Sequence, residues 1–247
     1  MSNETKVNLS NSRVVIAGGT GSVGEGIVRA YLKAGAEVIV PSRSEEKIAE
    51  FKKVLGDTVP TEKLHLVVAT YNTFDSAENF AKEIIDTFGP VDHVVASIGG
   101  WWGGKALWDT SEAEWNVFFT EFATSHMALA KAFVPRISAH GAYQLIIGAS
   151  AIYPVQGSGI VSMQQAALLM MGKVLQTELG DQRRIFTHML GVVNNRNRPG
   201  FNKEWISAEN VGEITSTLSS LLQVPSRNFE LFDKAQFDAQ MTELGGL

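Results

Sequence analysis

The sequence predicts an α/β protein in which one doubly wound parallel sheet of about seven strands carries helices on both faces. Two observations predict this class. Short apolar runs alternate along the 247 residues with longer segments of helical periodicity. The first apolar run, 14–16, passes through a glycine-rich turn directly into a helical pattern, which is typical of a Rossmann-like fold. The sequence has no internal repeat or low-complexity linker, so we expect one domain over residues 1–247.

Glycines separate the first strand from the first helix, at positions 18, 21 and 24. Glycine permits a tight turn and lets the backbone approach a diphosphate closely, and the free N–H groups at a helix start attract anions. We therefore predict a phosphate-binding turn, with a tight turn that binds no ligand as the alternative. The predicted contacts are Gly18, Thr20, Gly21, Ser22, Val23 and Gly24.

The second apolar run, 36–40, predicts a buried strand that leads to Ser42, Arg43 and Ser44. In a dinucleotide-binding fold this strand end faces the adenosine ribose. An acidic residue there binds the 2′-hydroxyl of NAD, whereas an arginine accommodates the 2′-phosphate of NADP. No acid occurs between positions 38 and 44. We therefore predict NADP(H) as the cofactor, bound by Ser42 and Arg43; the alternative is an Arg43 that is merely solvated in front of a helix.

Caps, glycines and apolar periodicity delimit the remaining elements. We predict helices over 44–55, 75–89, 111–135, 161–179 and 207–222, and strands over 64–68, 91–97, 143–148, 185–193 and 229–232. Ser44, Ser111 and Ser207 supply helix caps, and Asp75 with Glu78 forms a capping-box-like start. The helix over 207–222 is the last one that the pattern predicts.

A glycine-rich loop, 98–105, follows the fourth strand and contains Trp101 and Trp102. Open α/β sheets bind ligands at the carboxyl ends of their strands. Two adjacent tryptophans in a loop do not both enter a core easily, so we predict Trp101 and Trp102 as substrate contacts; the alternative is that they only pack the loop down. We predict that the two tryptophans, Tyr153 and the mobile-looking loop 194–203 form the rim of a pocket for a partly apolar small molecule.

The two long helices over 111–135 and 161–179 are apolar over most of their faces. A helix of this kind must be covered on several sides. If each helix leaves a second apolar face exposed in the monomer, association through both faces is the simplest remedy. We therefore predict a homodimer or homotetramer formed through these helices.

The composition also limits the kinds of molecule that the protein is expected to bind. A net charge of −5 gives no general attraction to nucleic acid or to anionic membranes, and we expect neither as a partner. Cysteine is absent, which excludes disulfides, thiolate metal sites and a cysteine nucleophile. The five histidines lack metal-ligand spacing, so we expect no metal site. The polar stretch 1–12 does not resemble a signal peptide, and we expect a cytoplasmic protein.

The chain resembles the short-chain dehydrogenase/reductase family over essentially its whole length. The resemblance is carried by Ala17–Gly24, Ser42–Arg43, Ala96–Gly99, Glu114–Trp115, Pro135 and Gln165–Ala167 with the segment 175–179 behind it. Members of this family transfer hydride between NAD(P) and carbonyls or alcohols. The resemblance implies the same cofactor fold here and adds Thr70, Ser97, Gly99 and Gln165 to the expected cofactor contacts.

The resemblance fails at the family's catalytic residues. Family members use a Tyr as general acid/base, a Lys four residues later that lowers the Tyr pKa, a Ser that holds the carbonyl oxygen and an Asn in a water relay. The aligned positions are Val161, Gln165, Ala149 or Ser150, and Phe122. No Tyr-x-x-x-Lys occurs anywhere in the chain, so we interpret it as an atypical member. Ser150 and Tyr153 are the candidate replacements, and His126 is a less favoured one because a packed histidine is the commoner case.

Three functions are compatible with this pattern. The first is an NADP(H)-dependent reductase of a carbonyl, enone or imine with a non-standard proton donor. The second is a catalytically silent relative that senses NADP or holds a partner protein, since the cofactor turn is intact while the catalytic residues are lost together. The third is a non-redox lyase or isomerase that reuses the pocket.

Overall fold

The computed structural model of the chain describes residues 7–56 and 60–246. The first half of the polar stretch used in the signal-peptide argument, 1–6, lies outside the described residues. The strands are β1 Arg13–Ala17, β2 Glu37–Ser42, β3 Leu64–Val68, β4 His93–Ala96, β5 Ala142–Gly148, β6 Arg184–Leu190, β7 Val193–Asn194, β8 Ile206–Ser207 and β9 Arg227–Leu231. The helices are α1 Gly24–Lys33, α2 Glu45–Leu55, α3 Phe74–Phe88, α4 Glu112–Trp115, α5 Phe122–Phe133, α6 Gly159–Leu179, α7 Ala208–Ser220 and α8 Lys234–Gly245.

Seven strands form one parallel sheet in the order β3-β2-β1-β4-β5-β6-β9, which confirms the predicted fold class. The side chains of β1 alternate between two cores. Val14 and Ile16 pack with α1 and α7 on one face, whereas Val15 packs with α3 and α5 on the other. Because both faces are covered, the strands read as continuous apolar runs in the sequence. Among the described residues, no helix is long and apolar enough to cross a membrane.

The order of the strands reverses between β1 and β4. Ala17 pairs with Ala96 at the carboxyl ends of these two strands, and the Ser97 N–H donates to the Ala17 carbonyl at 2.9 Å. From this point the chain crosses to one side of the sheet after β1 and to the other side after β4. A crevice therefore opens beyond the strand ends, where sheets of this type bind ligands.

Two predicted helices differ from those in the structure. The α3 helix is capped by Thr73, whose hydroxyl accepts from the Ser76 N–H at 3.1 Å while the Ser76 hydroxyl accepts from the Thr73 N–H at 3.0 Å. Asp75 therefore lies in the first turn and is not the cap. The single helix predicted over 111–135 is divided by a π-helical segment, Asn116–Glu121. A π turn holds one residue more than an α turn, so apolar periodicity does not reveal it.

The carboxyl-terminal part of the chain also departs from the prediction. The sixth strand ends at Leu190 and not at 193, because the Gly191 N–H bonds to the Leu231 carbonyl and the following residues pair with β8 instead. The helix α8 was not predicted. Its buried side chains are only Phe237 and Leu244, which is too sparse a pattern to stand out, although Asp233 caps it by accepting from the Gln236 N–H at 2.8 Å.

Candidate active site

Two glycines in the turn after β1 lie where there is no room for a Cβ atom. Gly18 has a φ of +78°, and a Cβ there would lie 2.1 Å from the Ser97 carbonyl oxygen. A Cβ on Gly24 would lie 2.2 Å from the Gly18 carbonyl oxygen. Gly21 is exposed, and its N–H donates to the Gly18 carbonyl at 2.9 Å. The turn thus brings β1, β4 and the start of α1 into backbone contact at the crevice.

The start of α1 has no side-chain cap. Val23 precedes the helix and makes no side-chain cap hydrogen bond. Thr20, Ser22 and Val23 are each half-buried along the same turn. The Glu25 and Gly26 N–H groups bond to the Gly21 and Val23 carbonyls at 2.9 and 3.1 Å, so the donors left for an anion are N–H groups of the turn just before them, where the helix dipole favours negative charge.

The loop 194–203, which is distant from this turn in the sequence, contacts it in the fold. Arg196 forms an ion pair with Glu25, and its other terminal nitrogen donates to the Thr20 carbonyl at 3.2 Å. The Asn197 amide donates to the Ser22 hydroxyl at 2.6 Å. The sequence indicated this loop only as a mobile-looking rim of the pocket. No local signal could have revealed these contacts, because about 175 residues separate the partners.

The end of β2 presents the residues predicted to select the cofactor. Ser42 is 4% exposed, and its hydroxyl has no hydrogen-bond partner among the described residues. The Arg43 side chain is exposed beside it. The Ser44 hydroxyl is already engaged, because it caps α2 by accepting from the Lys47 N–H at 3.3 Å. A buried hydroxyl without a partner next to an exposed guanidinium is a fitting environment for a phosphate or a ribose.

Tyr71 joins the predicted residues at this end of the crevice. Its hydroxyl faces the Gly18 backbone. Burial raises the pKa of this hydroxyl, and the Gly18 backbone and the nearby Arg43 charge act in the opposite direction. Thr70, the predicted cofactor contact here, is exposed just after the end of β3, and Tyr71 beside it was not predicted. Tyr71 follows a strand end, and that position is the one signal that pointed to it.

The loop after β4 is held by a buried histidine. The His126 ring is fully buried, and its Nε2–H donates to the Ile98 carbonyl at 2.9 Å. Burial lowers the pKa of His126 to about 4, so the ring is neutral at physiological pH. His126 is therefore a packed residue that supports the loop after β4. Beyond it, Gly99 is exposed, and a Cβ there would meet nothing within 4 Å.

The two adjacent tryptophans have different environments. Trp102 is 8% exposed, packs against Phe118 with ring centroids 6.3 Å apart, and donates to Glu114 at 3.2 Å. Lys105 pairs with the same carboxylate at 2.7 Å and, with Ser111, lowers the pKa of Glu114 to about 2. Trp101 is 68% exposed. Trp102 therefore packs the loop down, and Trp101 is the one available at the surface.

The predicted catalytic residues lie beyond β5. A Cβ on Gly148 would lie 3.4 Å from the Ser150 hydroxyl oxygen and 3.7 Å from the Gln165 amide oxygen, so these two side chains share one side of the Gly148 backbone. Tyr153 is 61% exposed and packs edge-on against Phe232 at 5.5 Å. The structure thus brings Ser150 and Gln165 together and leaves Tyr153 at the surface.

Gln165 is held by its neighbours. Its amide oxygen accepts from the Gly148 N–H at 2.5 Å, and its amide nitrogen donates to Gln164 at 2.6 Å. The Gln164 amide nitrogen is buried without a partner in the described part of the chain. Val161, one helical turn before Gln165, belongs to an apolar cluster with Trp102. The groups at this end of α6 are therefore neutral and carry no charge that could shift the pKa of a proton donor.

The comparisons with known proteins agree with this arrangement. The family model described as short chain dehydrogenase matches residues 12–197. The chain belongs to the short-chain dehydrogenase family. The match spans the sheet from the start of β1 through β6 and reaches the loop residues Arg196 and Asn197, so it contains the glycine turn and every site residue that the sequence predicts.

The curated relatives of this short-chain dehydrogenase are distant. A cis-2,3-dihydrobiphenyl-2,3-diol dehydrogenase from Paraburkholderia xenovorans (strain LB400) is 24% identical over 184 residues, which are 72% of this chain and 65% of that protein. The chain spans between one third and about two thirds of the length of the curated relatives that it matches.

Solved structures share the fold at low identity. A short chain oxidoreductase from Pseudomonas aeruginosa PAO1, described as containing an atypical catalytic center, superposes with a TM-score of 0.79 at 17% identity, covering 91% of this chain and 97% of that one. An alcohol dehydrogenase from Thermococcus sibiricus, complexed with 5-hydroxy-NADP, superposes with a TM-score of 0.77 at 22% identity, covering 89% and 95%. At these identities the likeness establishes the fold.

Proposed function

We propose that this short-chain dehydrogenase binds NADP(H) across the crevice between β1 and β4 and transfers hydride to or from a small, partly apolar carbonyl, enone or imine. The observation that carries the proposal is the glycine turn. Gly18 and Gly24 leave no room for a Cβ, so the turn packs closely against β4 and leads into a helix start without a side-chain cap. Backbone N–H groups there suit a diphosphate.

The end of β2 supports NADP(H) over NAD(H). The Ser42 hydroxyl, which has no partner among the described residues, and the exposed Arg43 guanidinium are donors for a 2′-phosphate, and no acid occurs between positions 38 and 44 to accept from a 2′-hydroxyl. The Pseudomonas oxidoreductase has also been solved with NADPH bound, and the Thermococcus enzyme with an NADP derivative. Those ligands belong to those proteins, and they agree with the preference proposed for this chain.

Ser150 and Gln165, which follow β5, support an assignment of the proton chemistry. Bound NADPH supplies the hydride, and the chain must bind the substrate oxygen or nitrogen. We assign the hydrogen bond to Ser150, since its hydroxyl lies beside Gly148 on the same side as Gln165. Gln165 anchors the Gly148 backbone and so fixes the end of β5. Val161 cannot exchange a proton, and the chain is an atypical member in this respect. We expect loss of the usual proton donor to cost about 10²–10⁴ in rate.

The walls of the site favour an apolar substrate. Val161 and Trp102 belong to one cluster, packed by Phe118. Phe122 lies against the loop after β4, where a Cβ on Gly100 would be 3.2 Å from its ring. A site with these walls gains free energy from burying a hydrocarbon or aromatic body and offers few polar partners.

Titration and turnover test the proposal together. Purified protein is titrated with NADPH by nicotinamide fluorescence, and NADPH oxidation is then followed at fixed protein with a panel of ketones, enones and iminium compounds. Saturable binding with turnover of at least one class supports the oxidoreductase. Absence of NADPH binding would refute the proposal.

A second function is favoured by one specific observation. No Tyr-x-x-x-Lys occurs in the chain, and Val161 and Gln165 occupy the corresponding helix. A catalytically silent protein that binds NADP(H) would keep the glycine turn and lose those residues. Tight NADPH binding without turnover of any substrate class would support this second function over the first.

We also propose a homodimer or homotetramer formed through α5 and α6. Met127 on α5 and Met163, Met170 and Val174 on α6 are each more than 40% exposed. An apolar surface of this kind on adjacent helices is typical of a subunit interface. Analytical ultracentrifugation tests the assembly, and Met170→Lys should dissociate it; a sedimentation coefficient of a monomer for the unaltered protein would contradict it.

A further inference from the structure

The loop 194–203 has a fixed neck. The Asn194 amide donates to the carbonyls of Asn202 at 2.8 Å and Trp205 at 3.1 Å, and the Asn202 N–H donates back to the Asn194 amide oxygen at 3.1 Å. The short pair β7–β8 closes the same neck. The tip of the loop is therefore presented at a defined place, above the glycine turn.

The tip carries a cation to the turn where the diphosphate is proposed to bind. Arg196 contacts Glu25 and the Thr20 carbonyl, and Asn197 contacts the Ser22 hydroxyl. All three partners belong to the glycine turn or the first turn of α1. The two side chains thus contact the segment that leads from β1 into α1.

Glu25 does not need Arg196 as its counter-charge. Its other carboxylate oxygen already accepts from Arg29 at 3.0 and 2.8 Å. Arg196 is thus the second guanidinium on a single carboxylate, and its side chain is about one third exposed. A guanidinium placed in this way can exchange a shared carboxylate for a phosphate, which it binds through two parallel N–H···O bonds.

We propose that Arg196 and Asn197 bind the diphosphate of the dinucleotide, with Glu25 holding Arg196 in place when the dinucleotide is absent. The inference rests on the proposed NADP(H) function and extends it to a second wall of the site. Arg43 reads the 2′-phosphate, which only NADP(H) has. Arg196 reads the diphosphate, which NAD(H) and NADP(H) share, so its loss affects both cofactors alike.

The test compares Arg196→Gln with Arg198→Gln, a matched control two residues away whose guanidinium lies over the Trp205 ring at 5.6 Å. Dissociation constants for NADPH and for NADH are measured by fluorescence titration. Arg196→Gln should raise both constants by about tenfold to one-hundredfold and leave their ratio unchanged. Arg198→Gln should leave both constants unchanged. Equal constants for the unaltered protein and Arg196→Gln overturn this inference and leave the NADP(H) function standing; absence of NADPH binding to the unaltered protein overturns both.

Glu25→Gln separates phosphate binding from loop anchoring. If Arg196 only anchors the loop to Glu25, Glu25→Gln weakens NADPH binding as much as Arg196→Gln does, and the inference is wrong. If Arg196 binds the diphosphate, Glu25→Gln frees the guanidinium and the NADPH dissociation constant stays the same or falls.

Limited proteolysis gives a readout that does not depend on activity. Lys203 lies in the loop with an exposed side chain, so trypsin can cleave after it. Bound NADPH should slow this cleavage in the unaltered protein and in Arg198→Gln, but not in Arg196→Gln. Equal protection in all three proteins contradicts the inference.

Discussion

Acidification should destabilise the fold through its buried histidines, and His188 gives the clearest case. His188 is fully buried in β6, its Nε2–H donates to the Gln144 amide oxygen at 2.8 Å, and its ring stacks on Phe229 at 5.3 Å. Burial lowers the pKa of His188 to about 3 from its usual 6.5. Below pH 6.5 His188 therefore takes up a proton in the unfolded chain, whereas in the folded chain it stays neutral until the pH approaches 3. The stability is complete above pH 6.5 and is lost as the pH falls towards 3.

The size of the effect follows from the two pKa values. Between pH 7 and pH 5 the linkage relation gives about 2 kcal/mol for this one residue, since a full pKa unit is worth 1.36 kcal/mol. Urea unfolding followed by circular dichroism at both pH values measures it. His188→Asn should show a fall in unfolding free energy that is about 2 kcal/mol smaller than in the unaltered protein. The matched control is His140→Asn, at an exposed position, which should retain the full fall. Equal falls in His188→Asn and the unaltered protein would refute the reasoning.

Three further predictions concern the site. Arg43→Gln should raise the NADPH dissociation constant by about tenfold to one-hundredfold and leave that of NADH unchanged, as measured by titration; equal weakening would reject the 2′-phosphate contact. Gly24→Ala places a Cβ 2.2 Å from a backbone oxygen and should cost about 1–3 kcal/mol in urea unfolding, whereas Gly21→Ala, 3.1 Å from the same oxygen, should cost less; equal losses would contradict the packing. Ser150→Ala should lower kcat at least tenfold, and Tyr153→Phe should leave it within twofold; the reverse order would exchange their roles.

The sheet could be predicted because its cause is local. The central strands are buried on both faces, as Val14 and Val15 illustrate, so their apolar runs are visible without knowledge of their neighbours. The glycine turn was equally visible, since Gly18 and Gly24 are required by backbone contacts that no other residue permits. Ser111 and Ser207 cap helices as predicted, because a cap needs only a residue three positions away.

Contacts between distant segments could not be predicted. Arg196 and Asn197 contact the turn only because the sheet places β6 near β1, with two strands between them, and the loop after β6 spans that distance. Tyr71 reaches Gly18 for the same kind of reason, from the end of β3. The division between Trp101 and Trp102 depends on Glu114, which the sequence identified as a helix cap and not as the partner of an indole. Contacts of this kind join residues that are far apart in the sequence, and a local sequence pattern does not show which distant residues the fold brings together.

The neutral surroundings of Gln165 constrain the chemistry that the proposed function can include. A lysine at this place would stabilise an anion on a nearby donor, whereas the Gln165 amide is uncharged and already bonded to Gly148 and Gln164. Ser150 can donate a hydrogen bond to a developing negative charge, but the uncharged Gln165 amide on the same side of Gly148 cannot act as a base or a cation for its hydroxyl. Reduction of a ketone creates an alkoxide that must be protonated. Hydride addition to a preformed iminium ion gives a neutral amine and needs no proton, and an enone gives a delocalised enolate that water can protonate. We therefore expect iminium compounds and enones to be reduced faster than ketones of the same size and shape.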